Sequence, residues 1–320
     1  MADIGIIGLG QIASQVHIPV LRATEGARIA WVADTNMART LEVAGAHKLA
    51  PRFIDGPNWR PPPCDIVLLA IPLPPRPRYF AALAAGETAI FAEKPLANTA
   101  AEHRELMQRF APWRLGVGYQ RRQHATSRHL RHAIALGLFG HPEAMRIREG
   151  GRTTRAGDMG PYQDESVANG GGIVKNLGCH SLDLALWLTG AATPEITSRR
   201  IEWDGDTDRR ASARIMLGDV PLDWTVSWLD EQPNTLEIDF GRLTLSIPTQ
   251  PSRTVSIRAP DGGAAGEIDC GATGGAFTAA QAFHLQWKAM IAGVEARRES
   301  EVSANTSLAT AVLMDQLLER

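Results

Sequence analysis

The sequence GLGQIA, from Gly8 to Ala13, follows a short apolar run and opens a stretch whose apolar residues recur at helical spacing. A glycine turn between strand and helix can hold a phosphate. Gly8 permits the tight turn, Gly10 lets a pyrophosphate approach the backbone beside the helix N-terminus, and Ala13 is small enough for close helix–strand packing. Asp34 ends the next apolar run, where a carboxylate binds the adenosine ribose hydroxyls and repels a 2′-phosphate. The pattern predicts a dinucleotide site that takes NAD(H) in preference to NADP(H), with Thr35, Asn36 and Arg39 close enough to temper the preference. The competing reading is a steric turn beside a surface aspartate.

A second stretch, GGGIVKNLGCHSLDLALWLTG, runs from Gly170 to Gly190. Lys175, Asn176, Cys179, His180 and Asp183 stand at the entrance to a helix made largely of Leu, Ala and Trp. Hydride transfer needs a nicotinamide held against a carbon and a group that handles the hydroxyl proton. His180 titrates near neutrality and suits that task. Lys94, in AEKP, is a further candidate, because an ammonium beside a positively charged nicotinamide is disfavoured and becomes a usable acid or base. Each has a structural alternative: a helix N-terminal histidine for His180, a strand-end surface lysine for Lys94. Cys179 reads as buried packing. Asp183, one turn beyond His180, either orients it or serves a surface or capping role. Lys175 adjoins Asn176 in what reads as an extended run, so it is expected to point to the opposite face.

The elements that must position these residues alternate through the first third of the chain. Asp3–Gly8, Arg28–Asp34, Asp65–Pro72, Thr88–Pro95 and Arg114–Gln120 read as strands. Gln11–Thr24, Met37–Leu49, Pro77–Gly86 and Thr99–Phe110 read as helices, the last with Thr99 and Glu102 in a capping-box pattern. This predicts an α/β Rossmann domain with a doubly wound parallel sheet over residues 1–120. Residues 121–320 read as a substrate-binding and oligomerisation α/β domain with an open, mostly antiparallel sheet of seven segments, from EAMRIREG to RTVSIRA. GGAAG and GATGG read as loops. Two helices close the chain, and whether they pack back on the first domain is left open. Arg121–Gly140 reads as a basic helix with a solvated face. His129 and His132 have metal-ligand spacing but no accompanying carboxylate or cysteine, so no metal is expected.

Composition bounds the function classes. The chain has 320 residues, 44% hydrophobic and 21% charged, with a formal net charge of −2. That length suggests about two domains and a core that needs no staples. The charge balance gives no hint of nucleic acid or a membrane surface. Three scattered cysteines, Cys64, Cys179 and Cys270, fit a reducing compartment. The N-terminal residues lack the basic and apolar regions of a signal peptide, and no run is long enough to span a bilayer, so a cytoplasmic location is expected.

Taken together, GLGQIASQVHIPVL, AEKPLANT, GVGYQRR, the Gly170–Gly190 stretch and VSANTSLATAVL resemble the Gfo/Idh/MocA oxidoreductases, the glucose-fructose oxidoreductase and inositol dehydrogenase group, over nearly the full length. The resemblance implies an N-terminal Rossmann domain that binds NAD(H) or NADP(H) and a C-terminal domain with an open sheet, with a sugar, polyol or related substrate between them. Lys94 matches the family lysine that hydrogen-bonds the reacting oxygen, and His180 matches the family histidine that acts as general base or acid. Asn176 stands where members usually carry Asp, which puts the proton relay in question. The cofactor-binding set is Gly8, Gly10, Gln11, Ile12, Asp34, Thr35, Ile71, Pro72, Glu93, Lys94 and Gln120. The substrate-binding set is Lys94, Arg121, Tyr162, Asn176 and His180. The resemblance also implies a homodimer or homotetramer formed through the C-terminal sheet. The alternatives are a reductase of imines or tetrapyrrole bridges, or a dinucleotide-binding sensor without turnover.

Overall fold

The computed structural model describes residues 1–152 and 170–320, so Tyr162 lies outside the described residues. They form two units: the first comprises Met1–Gly118 and Phe283–Leu308, the second Tyr119–Ala282 and Ala309–Arg320.

In the first unit, β1 (Ala2–Ile7), β2 (Ala27–Asp34), β3 (Pro51–Phe53), β4 (Ile66–Leu69), β5 (Ala89–Ala92) and β6 (Leu115–Val117) make one sheet in the order β3-β2-β1-β4-β5-β6. Every described pairing in it is parallel. This is the doubly wound dinucleotide-binding order, in which the chain reverses direction beside β1. The four residues of β4 and the four of β5 are all buried, as helices on both faces require. Ile4, Ile6, Val32, Leu68 and Phe91 form one apolar core with Phe283, Trp287 and Met290 from the returning C-terminal stretch.

Four short helices connect these strands: α1 (Ile18–Ala23), α2 (Met37–His47), α3 (Arg76–Leu83) and α4 (Ala100–Arg109). The segment expected to be one helix from Gln11 starts as a π-helical turn, Ile12–His17, before α1. The Thr99 cap forms: its hydroxyl accepts the Glu102 N–H at 3.1 Å, while the Glu102 carboxylate reaches the Asn98 N–H at 2.9 Å.

The second unit holds α5 (Ala125–Ala135), β7 (Ala144–Gly150), α6 (Cys179–Thr189), β8 (Glu195–Asp204), β9 (Thr207–Leu217), β10 (Val220–Ser227), β11 (Thr235–Asp239), β12 (Thr244–Pro248), β13 (Thr254–Arg258) and β14 (Ala264–Asp269). Its strands order as β14-β13-β12-β11-β7-β10-β9-β8. β7 and β10 are parallel and the other described pairings antiparallel. Alternation sets the faces: Ile147, Leu222, Trp224, Ile215 and Leu236 are buried on one side. On the other, the register aligns Arg214, Asp223, Arg146 and Glu237 in a row across four strands. The helices α7 (Ala279–Ala296) and α8 (Leu308–Leu318) close the chain.

Three expectations need correction. GGAAG is not wholly a loop, because β14 begins at Ala264 and runs as an exposed edge strand whose small residues give no alternation to read. The run before Cys179 is not extended. Val174–Gly178 is a π-helical turn, so Lys175 and Asn176 are not on opposite faces. The segment from Arg121 is not a solvated basic helix at its start. Gln120–Gln123 is a 3₁₀ turn whose two arginines are buried, because each meets a carboxylate there.

Candidate functional site

The first unit builds a turn suited to a pyrophosphate. Gly8 has φ +93°, and a Cβ there would lie 2.4 Å from the Ala70 carbonyl oxygen and 2.5 Å from Ile71 Cγ2. Only glycine fits that position. At Gly10 a Cβ would meet nothing within 4 Å, so the turn is open on that side. Asp34 is built into the turn: Oδ2 accepts the Leu9 N–H at 2.8 Å and Oδ1 accepts the Asn36 N–H at 2.8 Å. Arg39, half-exposed, stands 3.9 Å from Oδ2. The carboxylate and the open cradle fit a dinucleotide. Gln11 and Thr35 are exposed, and Ile12, Ile71 and Pro72 are half-buried.

A buried guanidinium ties the loop after β4, against which Gly8 packs, to the turn that bears Lys94. Arg76 donates to the Ile71 carbonyl through Nε at 3.0 Å and Nη2 at 2.8 Å. Its Nη1 donates to Glu93 O at 2.6 Å, to Leu96 O at 3.2 Å and to Pro95 O. The loops after β4 and β5 thus share one clamp. It brings together Gly8, Ile71 and Glu93 of the predicted set, with Lys94 half-buried on the clamped turn. Burial pushes the Glu93 carboxyl up, but the hydrogen bond from His17 and the charges of Lys94 and Arg76 together hold it below the usual carboxylate range.

In the second unit, His180 is buried in the first turn of α6, its ring edge-on to Tyr119 with centroids 6.3 Å apart. Asn176 is half-buried one helical turn earlier, and its N–H donates to Gly172 O at 3.1 Å. Asp183 neither lies on the surface nor caps the helix. It is 1% exposed and accepts from Arg122 Nε at 2.8 Å, from Arg122 Nη2 and from Thr310 Oγ1 at 3.3 Å. Burial pushes its carboxyl up and the Arg122 guanidinium works against that. Arg121 is buried and held by Glu149 of β7, with Nη1 2.8 Å from Oε2 and Nη2 on Oε1. Gln120 begins the same 3₁₀ turn. Cys179 is fully buried.

Sequence reasoning missed a carboxylate beneath this motif. Asp208 of β9 is fully buried, and its Oδ2 accepts the Val174 N–H at 2.8 Å where the π-helical turn begins. Gly172 exists for it: a Cβ there would sit 1.6 Å from Asp208 Oδ1. Burial pushes the Asp208 carboxyl up to about 7, against hydrogen bonds from Val174 and the charge of Lys175. The glycine run before Lys175 was the only signal, and it named no partner. Arg76, His17 and Trp287 were missed as well, because nothing in the local pattern pairs residues so far apart in the chain. Among the described residues no group of His, Cys, Asp or Glu is placed to hold a metal ion, and no helix is long and apolar enough to cross a membrane.

Comparison with known proteins adds descent to this geometry. Residues 2–113 match the model of an oxidoreductase family with an NAD-binding Rossmann fold, and residues 127–245 match the GFO/IDH/MocA C-terminal domain. A myo-inositol 2-dehydrogenase of Thermotoga maritima is 27% identical over 201 residues, 60% of this chain and 56% of that protein. The rhizopine catabolism protein MocA of Rhizobium meliloti is 30% identical over 194 residues, 58% of this chain and 57% of that protein. The match thus spans a little over half the length of these curated relatives. Among solved structures, a 3-ketoreductase from Actinomadura kijaniata with NADP and TDP-benzene has a TM-score of 0.82 at 18% identity, over 98% of this chain and 96% of that one. An oxidoreductase from Agrobacterium radiobacter with NAD+, L-tartaric acid and magnesium has a TM-score of 0.80 at 17% identity, over 98% and 94%. At these identities the structural likeness speaks to the fold.

Proposed function

Because the chain belongs to the Gfo/Idh/MocA oxidoreductases, we propose that it is an NAD(P)-dependent dehydrogenase or reductase acting on a hydroxyl or carbonyl carbon of a sugar, polyol or related small molecule. The observation that carries the reading is the glycine turn at Gly8 with Asp34 bonded into it, at the strand-order reversal of a parallel sheet. Gly8, Gly10 and Asp34, with Gln11, Ile12, Thr35, Ile71, Pro72, Glu93, Lys94 and Gln120, would hold the dinucleotide. Bound nicotinamide would supply or accept the hydride. Lys94 hydrogen-bonds the reacting oxygen, His180 takes or gives its proton, and Arg121, Tyr162 and Asn176 contact substrate. The Asp34 carboxylate supports NAD(H) over NADP(H), and half-exposed Arg39 narrows the margin. Relatives named inositol 2-dehydrogenase support cyclic polyols as the first class to try.

Asn176 favours a second reading, a dinucleotide-binding sensor without turnover. NADH fluorescence quenching followed by a panel of sugars and polyols separates the two: the enzyme turns over at least one, whereas the sensor binds NADH and turns over none. Absence of binding of both NADH and NADPH would overturn both. A homodimer or homotetramer through the open eight-stranded sheet belongs to the same proposal, and sedimentation would detect it. A cytoplasmic location and the absence of nucleic-acid partners belong to the same proposal.

A further inference from the structure

His17 ends the π-helical turn after the glycine motif and is fully buried. Its ring stands edge-on to Phe91, Phe283 and Trp287, at centroid distances of 6.3, 5.2 and 5.8 Å. Trp287 Nε1 lies 3.0 Å from His17 Nδ1, and His17 Nε2 lies 2.8 Å from Glu93 Oε1. An indole N–H can only donate, so Nδ1 must accept and the ring proton must sit on Nε2. Glu93 Oε1 then has to accept, and the Lys94 N–H at Oε2 and the lowered carboxyl favour the carboxylate form. A proton on Oε1 would face Nε2–H, and a second proton on the ring would face the indole. One arrangement of protons satisfies all three groups. The other carboxylate oxygen, Oε2, is 3.3 Å from the backbone nitrogen of Lys94. Gly118 closes in on the same carboxylate, since a Cβ there would be 3.3 Å from Oε1.

We propose that His17 and Trp287 are positioning residues for Lys94: they fix Glu93 as a buried carboxylate, and the carboxylate fixes the backbone of the turn that carries the lysine. The role of Lys94 in turnover rests on the proposed oxidoreductase reading; the hydrogen-bonded chain does not. Arg76 holds the same turn by its carbonyls, so the turn is gripped through both its acceptors and its acidic side chain. His17 lowers the Glu93 carboxyl as hydrogen-bond donor and, when protonated, by its charge, and Lys94 and Arg76 are the other charged groups that act on it.

The test uses the full chain and reads the network without a substrate. In ¹⁵N spectra His17 should be the Nε2–H tautomer. His17→Asn can keep an acceptor for Trp287 but removes the donor to Glu93. His17→Gln keeps a donor at the position of Nε2. Followed by carboxyl ¹³C, Glu93 should titrate at least about one pH unit higher in His17→Asn and recover most of that shift in His17→Gln. Hydrogen exchange at the Lys94 amide should lose protection in the first variant and regain it in the second. Trp287→Phe, which removes the indole donor along with part of the ring, should let protons onto Nδ1. An Nδ1–H tautomer in the parent protein, or a Glu93 titration and a Lys94 amide that ignore His17→Asn, would overturn the proposal and leave His17 as core filling. NADH and NADPH binding measured on the same samples keeps the two questions apart: a parent protein that binds neither while the chain of hydrogen bonds is found intact would sink the functional reading alone.

Discussion

Asp34 and Leu9 are joined by a 2.8 Å hydrogen bond, carboxylate to backbone N–H, so the end of β2 and the glycine turn after β1 are one structure. The carboxylate shapes the turn, and under the proposed cofactor preference it would also reject a 2′-phosphate. Asp34→Asn retains an acceptor for Leu9 and discards the charge. It should keep most NADH affinity and narrow the NAD/NADP gap, with Arg39 left to favour the extra phosphate. Asp34→Ala loses both and should weaken NADH by about 10- to 100-fold, the scale of a hydrogen bond to a charged group. Calorimetry with both cofactors checks this; NADP(H) binding as tightly as NAD(H) to the parent protein would defeat the preference.

Lys94→Ala should leave most NAD+ binding intact, because Arg76 and the Glu93 carboxylate hold the turn. Turnover should fall at least about 100-fold, the scale of a lost acid–base and positioning group. Near-normal turnover on the true substrate would make Lys94 a structural residue.

The parallel sheet was legible because its strands are short, apolar and separated by helical patterns. The cofactor turn was legible because glycines and an aspartate recur at a fixed distance along one βαβ unit. What was hidden depends on pairs distant in sequence. Arg122 and Asp183 are 61 positions apart, Trp287 and His17 270 apart, and neither member signals that the other neutralises or orients it. The edge strand β14 was hidden for the opposite reason: it opens on small residues and is exposed at all but Ile268, so no hydrophobic period marks it.

Two buried groups in the second unit should pull stability in opposite directions with pH. Asp208 is raised by burial to about 7, above its unfolded value, so it contributes stability at low pH that is lost as pH climbs through about 7. His124 is lowered to about 4 by burial and then by Arg121, so its contribution is present above the unfolded histidine range and lost as pH falls toward 4. Each effect is at most on the order of 3–4 kcal/mol at full extent, and between pH 4 and 7 they offset. Thermal unfolding of the parent protein should therefore change little with these groups over that range. Asp208→Asn should expose the acid loss due to His124, and His124→Gln should expose the loss toward pH 7 due to Asp208. Parallel pH profiles in the parent protein and both variants would show that neither group is buried as described.

Asn176 stands where the resemblance leads one to expect an Asp, and its backbone is already occupied: its N–H donates to Gly172 O, and its carbonyl oxygen lies 3.6 Å from Cys179 Sγ. The side chain is what distinguishes it from Asp. Asn accepts through its carbonyl oxygen but also donates and carries no charge. A carboxylate one helical turn before His180 would favour the imidazolium form of that histidine. Asn176→Asp should therefore move the histidine limb of the kcat/KM profile to higher pH, by about one unit for a half-buried site. His180→Ala should flatten the same limb, which ties the moved feature to His180 and not to another group. If Asn176 also contacts substrate, its KM changes in the Asp variant while NADH affinity holds. A pH profile and a substrate KM both unchanged in Asn176→Asp would assign the side chain to the local structure of the π-helical turn, and would leave His180 to carry the proton with no help from this position.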